Sequence, residues 1–186
     1  QRNARGLFKA FREVDYIAVN AAGCGSTMKE YGLLFKDAPD NAVAEAFAQR
    51  VRDVHELLAN AELPPLPRED SLCITYHDAC HLVHGQGIRH QPRALLQRLP
   101  AVKLVEMDGA DMCCGSAGIY NLLQPTLARD ALNRKIANIK ATGATIVASA
   151  NPGCTLWIRQ GLDEAGLPIE VLHPIEILAK AYDAMP

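Results

Sequence analysis

No stretch of the sequence reaches the roughly 20 consecutive apolar residues that a membrane-spanning helix needs, so no transmembrane segment is expected. No basic run offsets the formal charge of −2, which argues against a nucleic-acid-binding surface. The opening Gln-Arg-Asn-Ala-Arg has none of the apolar character of a secretory leader. The six cysteines are therefore expected as free thiols in a reducing compartment, not as a disulfide framework. The expected location is cytoplasmic, or peripheral on the inner face of a membrane. There is no Gly-x-Gly-x-x-Gly fingerprint and no flavin signature, so this chain is not expected to carry out carbon chemistry on a substrate. An initiating Met is missing too, and we expect a piece of a longer polypeptide.

What is present is a globular sequence of 186 residues with 49% apolar and 22% charged content, enough for a substantial core. Short apolar runs alternate with helical patterns. Strands are expected at 16–20, 72–76, 102–106, 145–149 and 169–172. Helices are expected at 1–11, from Ser26 to about Phe35, from Asp40 to about Leu58, at 92–99, from about Ile119 to Ala141 with a break at Pro125, and on either side of the last strand. The helix from Asp40 rests on the spacing of Val43, Phe47, Val51, Val54 and Leu58. Such alternation implies an α/β fold, a parallel sheet with crossover helices. Leu63-Pro-Pro-Leu-Pro67 cannot be regular structure and divides the chain into 1–62, a linker at 63–70, and 71–186. A faint repeat joins the halves: with Cys24 laid on Cys154, Ile17 falls on Val147 and Gly23 on Gly153. Two pseudo-repeated Rossmann-like halves result, the first truncated.

The most unusual feature is Cys113-Cys114-Gly115. Neighbouring side chains diverge, so adjacent thiols suit two ligands of one large object, approached closely by a glycine loop. Cys24, Cys80, the pair itself, Cys154 and His173 each follow an expected strand, where open parallel sheets place their sites. Cys73 lies inside a strand and reads as a small core residue. Cys80 precedes the pair by 32 intervening residues and Cys154 follows it by 39. Four thiolates suit an iron–sulfur cluster or a tetrahedral zinc. The wide spacing, unlike the close pairs of a zinc ribbon, tilts the choice toward a cluster.

Three segments, Tyr76-His-Asp-Ala-Cys80-His-Leu, Asp111-Met-Cys-Cys-Gly-Ser-Ala-Gly118 and Asn151-Pro-Gly-Cys154, resemble the cysteine-rich CCG domain. Heterodisulfide reductase and the iron–sulfur subunits of glycolate, lactate and glycerol-3-phosphate dehydrogenases share that domain. A narrower similarity to glycolate oxidase iron–sulfur subunits rests on Asn20-Ala-Ala-Gly-Cys-Gly-Ser26, His84-Gly-Gln-Gly87, Gln91-Pro-Arg93, Gly118-Ile-Tyr-Asn-Leu-Leu-Gln-Pro125 and Leu172-His-Pro174. The resemblance implies two CCG repeats, with 1–62 the end of the first and 71–186 the second. It implies a [4Fe–4S] cluster, absent or replaced by zinc if only a piece is present, with Cys80, Cys113, Cys114 and Cys154 as ligands. Cys24 would belong to an incomplete first site. The function implied is electron transfer from flavin subunits that oxidise glycolate to glyoxylate toward a quinone or another acceptor. A family cysteine is replaced by Trp157, which speaks against a five-thiolate non-cubane centre and a disulfide-reducing site.

Around the ligands, His77, His81, Gly115, Gly153 and His173 are expected to support the site by hydrogen bonding without ligating it. His55 and His90 read as surface residues, and Asp78 and Asp111 as turn formers. Arg129, Arg134, Lys135 and Lys140 read as a solvated basic helix face, and Trp157 as a core or shielding aromatic.

Overall fold

The computed structural model describes residues 1–64, 71–100 and 102–183. The greater part of the expected linker lies outside them. In chain order the elements are α1 (Arg2–Ala10), β1 (Ile17–Val19), α2 (Ala22–Lys29), α3 (Tyr31–Leu34), α4 (Asn41–Ala48), β2 (Val51–Asp53) and α5 (Val54–Ala59). There follow β3 (Leu72–His77), α6 (Cys80–Gln86), α7 (His90–Gln97), β4 (Val102–Leu104), α8 (Tyr120–Leu123), α9 (Pro125–Thr142), β5 (Ile146–Ser149), α10 (Pro152–Glu164), β6 (Glu170–Leu172) and α11 (Pro174–Asp183). The fold is α/β, as the alternation implies.

All strand pairs are parallel. One sheet has the order β4-β3-β5-β6 and the other contains β1 and β2. Each strand of the larger sheet is reached through a helical crossover, so every strand ends on the same edge. The inner strand β5 is buried along its whole length, as expected for a strand covered on both faces. Helix α9 begins with Pro125 at its first turn and ends on Gly143 at φ 67. It presses Leu132, Ile136 and Ile139 onto the core that also holds Val147, Ile158 and Cys154.

The helix expected from Asp40 to Leu58 is two helices separated by a strand. Val51 fits the helical spacing but pairs with Ile17 in β2. Asp53 then caps α5: its Oδ1 accepts the His55 N–H at 2.9 Å, and Glu56 Oε2 accepts the Asp53 N–H at 2.8 Å. The sequence signal was Asp53-x-x-Glu56, a capping box. Helix α2 likewise begins before Ser26, at Ala22. Its first free N–H groups are taken by the other half of the chain. Ala22 N donates to Ala150 O at 3.1 Å, and Gly23 N to Asn151 Oδ1 at 3.1 Å. Ser26 is buried instead against α6, where a Cβ at Gly85 would meet its Oγ at 2.5 Å.

His55, expected at the surface, is fully buried. Its Nδ1 lies 2.5 Å from Asp53 Oδ1, and its ring stacks on His173 at 5.3 Å. Asp78, expected to form a turn, is fully buried and held by both terminal nitrogens of Arg93 at 2.8 Å. Arg93 also binds Glu106 and lies over the Tyr76 ring. This cluster fixes the chain where β3 passes into α6.

These buried groups make stability sensitive to one substitution and to pH. Arg93→Ala leaves the Asp78 carboxylate buried with only Arg89, 3.7 Å away, as a cation. The loss is expected at about 3 kcal/mol in urea unfolding, the low end for a broken buried ion pair. Burial, and then the neighbouring His55, push the His173 pKa from 6.5 down to about 4. The unfolded chain therefore takes up a proton that the folded state refuses. Stability from the neutral ring is complete above about pH 6.5 and is lost as pH falls toward about 4. His173→Asn keeps a capping side chain and should flatten the difference in stability between about pH 7.5 and about pH 4.5.

Candidate metal centre

The ends of β1, β3 and β5 open onto one cavity of about 290 Å³. Its wall includes Cys24, Cys80, Cys113, Cys114 and Cys154, together with His77 and His81. All five cysteines expected at strand ends thus line a single cavity. Cys73 does not: it lies half-buried within β3, opposite Lys103. Cys24, expected at a separate first site, shares the wall with the other four because α2 is tied to residues 150 and 151.

Each sulfur is placed by a local device. Cys80 is the first residue of α6, and Cys24 and Cys154 lie in the first turns of α2 and α10. Cys113 and Cys114 sit on the loop between β4 and α8. Gly115 carries φ 93, and a Cβ on it would stand 2.3 Å from Ala128 O, so this position admits glycine alone. Ala117, at φ 34, occupies the same strained half of conformational space without being glycine. The turn lets Gly115 N donate to Cys113 Sγ at 3.3 Å. Asn151 Nδ2 donates to Cys154 Sγ at 3.4 Å, and Cys80 Sγ lies 3.6 Å from His81 Nδ1.

The expected supporting residues divide. His77, His81 and Gly153 line the cavity, and Gly115 bonds a sulfur. His173 does not line it. It caps α11, accepting the Ile175 N–H on Nδ1 at 3.1 Å, and stacks on His55. His77 goes further than expected. It is buried, and a ring nitrogen lies within 4.8 Å of the sulfurs of Cys114 and Cys154, which are themselves that close. Lys135 was missed. It is not on a solvated face but fully buried, donating to Gly109 O at 2.6 Å and Ala110 O at 3.2 Å. Its i+4 spacing from Ile139 and its place next to Ile136 on the apolar stripe of α9 carried the signal.

The thiols compete for one negative charge. Hydrogen bonding from Cys114 lowers the Cys154 pKa. Cys113 lowers that of Cys114, but bonding to Cys154 and burial outweigh it and push it up to about 12. Cys114 and burial raise that of Cys113. One thiolate is therefore favourable and further ones are not, unless a cation sits among them. Lys135 is the buried cation behind them, and burial lowers its pKa although the sulfurs and Asp111 oppose this. Sulfur-rich donors, a buried neutral imidazole and a loop that closes against Ala128 fit a thiophilic metal or cluster.

The family model for the cysteine-rich domain named CCG matches residues 74–159. Over 174 residues the chain is 36% identical to the "Probable glycolate oxidase iron-sulfur subunit" of Bacillus subtilis, covering 91% of this chain and 39% of that one. It is 33% identical over 183 residues to a fumarate reductase (CoM/CoB) subunit of Methanothermobacter marburgensis, covering 98% and 35%. It is 28% identical to lactate utilization protein A of Lysinibacillus sphaericus, covering 92% and 76%. The chain thus spans less than two fifths of the length of the first two relatives. Residues 74–159, which carry Cys80, Cys113, Cys114, Cys154 and His77, are thus similar to the cysteine-rich domain of the CCG type.

Proposed function

We propose that this chain is an electron-carrying part of an iron–sulfur subunit in an oxidoreductase complex, with Cys80, Cys113, Cys114 and Cys154 holding a [4Fe–4S] cluster. The observation that carries the reading is the meeting of these sulfurs at one cavity, where more than one thiolate requires a cationic centre. When bound, the cluster supplies reversible one-electron exchange. The chain's own residues hold and screen it. Gly115 N and Asn151 Nδ2 hydrogen-bond to sulfurs, which favours their anionic form. Leu82, Val147 and Ile158, packed in one core with Cys114 and Cys154, keep water from the back of the cavity. Lys135 places a positive charge behind the loop.

The similarity to a glycolate oxidase subunit supports glycolate as the reductant of the complex, oxidised to glyoxylate on flavin subunits, with a quinone or another acceptor receiving the electrons. The similarity to lactate utilization protein A makes lactate the competing substrate. Residues 1–62 are the end of a first repeat in this reading. Among the described residues no helix is long and apolar enough to cross a membrane, so contact with the inner face of a membrane would be peripheral. A structural zinc that shapes a docking surface is the second reading. The compact trio of His77, Cys114 and Cys154 favours it, since three donors around one small ion suit zinc.

Metal analysis of protein purified without oxygen separates the two. The cluster predicts that Cys113→Ser removes about four irons per chain from the total while zinc stays negligible. One zinc and no iron lost would overturn the electron-transfer reading. Gly115→Ala should also lower iron occupancy. It should destabilise the protein by more than about 1 kcal/mol, because the left-handed conformation and the Ala128 carbonyl both exclude a Cβ.

A further inference from the structure

His77 is the last residue of β3, the strand between β4 and β5, and its register partner is Ser149. It is held rigidly and is only 1% exposed. Neither ring nitrogen has a hydrogen-bond partner. Buried polar atoms without partners are costly, so an orphaned pair calls for a cause. Of the described side chains with such atoms, His77 alone lines the cysteine cavity. The others, among them Thr75, Tyr76 and Ser149, lie away from its wall.

We propose that His77 is a direct ligand of the metal centre, joining the cysteine sulfurs through a ring nitrogen. This rests on the reading of the cavity as a metal site. The ring nitrogen and the sulfurs of Cys114 and Cys154 already lie within 4.8 Å of one another, and a small rotation of the side chains brings them onto one metal atom. The nearby carboxylate cannot compete for the ring, since Asp78 is bound on both oxygens by Arg93. The thiolates supply negative charge and His77 none. A fifth thiolate in its place would make the centre one charge more negative and lower its reduction potential.

The test uses the full polypeptide purified without oxygen, with histidine alone labelled with ¹⁵N. Pulsed EPR of the reduced protein, taken as a difference against Cys113→Ser, should show strong nitrogen coupling that changes with the isotope and disappears in His77→Phe. His77→Cys should keep the iron and lower the midpoint potential. If the iron is present but no histidine coupling is seen, and His77→Phe leaves spectrum and potential unchanged, ligation is overturned while the cluster reading stands. If the metal is zinc, absorption fine structure decides: a nitrogen donor that His77→Phe removes supports ligation, and sulfur donors alone overturn it. Protein that retains no metal in the cavity overturns both readings.

Discussion

Thiolates repel one another, and this fold gathers five sulfurs around one small cavity. Among the innermost sulfurs Cys154 is the one whose ionisation the surroundings favour, through its hydrogen bond with Cys114. Other features of the site serve to make such crowding tolerable. Helix N-termini face the sulfurs, amide groups donate to two of them, a buried lysine stands behind the loop, and the nearest imidazole is kept neutral. A site built on charge repulsion is stable when something positive fills it, and its donors are soft.

The parallel topology makes the gathering possible. Strands joined by crossovers all end on one edge, so residues far apart in the chain reach the same place without long loops. The two halves use this rule alike. The offset that lays Cys24 on Cys154 also lays β1 on β5. Beyond β2 and β6 the same cap recurs. Asp53 takes the His55 N–H while Glu56 takes the Asp53 N–H. His173 takes the Ile175 N–H while Glu176 takes the His173 N–H. The helix starts from the two halves then meet face to face, through Ala22 on Ala150 and His55 on His173. That contact carries Cys24 to a cavity formed largely by the other half.

What could be read in the sequence was whatever local chemistry forces. Adjacent cysteines before a glycine, and thiols just past apolar runs, announced the site, and alternating runs announced the parallel sheet. What could not be read depended on contacts between distant segments. Val51 keeps helical spacing with Phe47 and Val54, and only its pairing with Ile17 makes it a strand. Ser26 has the chemistry of a cap, but Ala150 and Asn151 supply acceptors for the N–H groups three and four residues earlier. His55 and Lys135 carry polar groups that burial permits only because Asp53 and the carbonyls of Gly109 and Ala110 are there to receive them. Cys24 looked orphaned because the other cysteines of its cavity lie 56 to 130 residues further along the chain.

The buried charges near the cavity divide into a settled pair and an unsettled one. Asp78 and Arg93 neutralise each other through two hydrogen bonds. Lys135 is different. Its ammonium is satisfied by carbonyl oxygens, which supply hydrogen bonds but no opposing charge. Cys114, Asp111, Asp78 and Cys113 surround it with negative charge or potential negative charge, which opposes the loss of its proton. Lysine, loop and cysteines are therefore one electrostatic unit. In the proposed electron carrier this one positive charge would stabilise a reduced centre, and the burial that makes the lysine costly to fold would limit its screening.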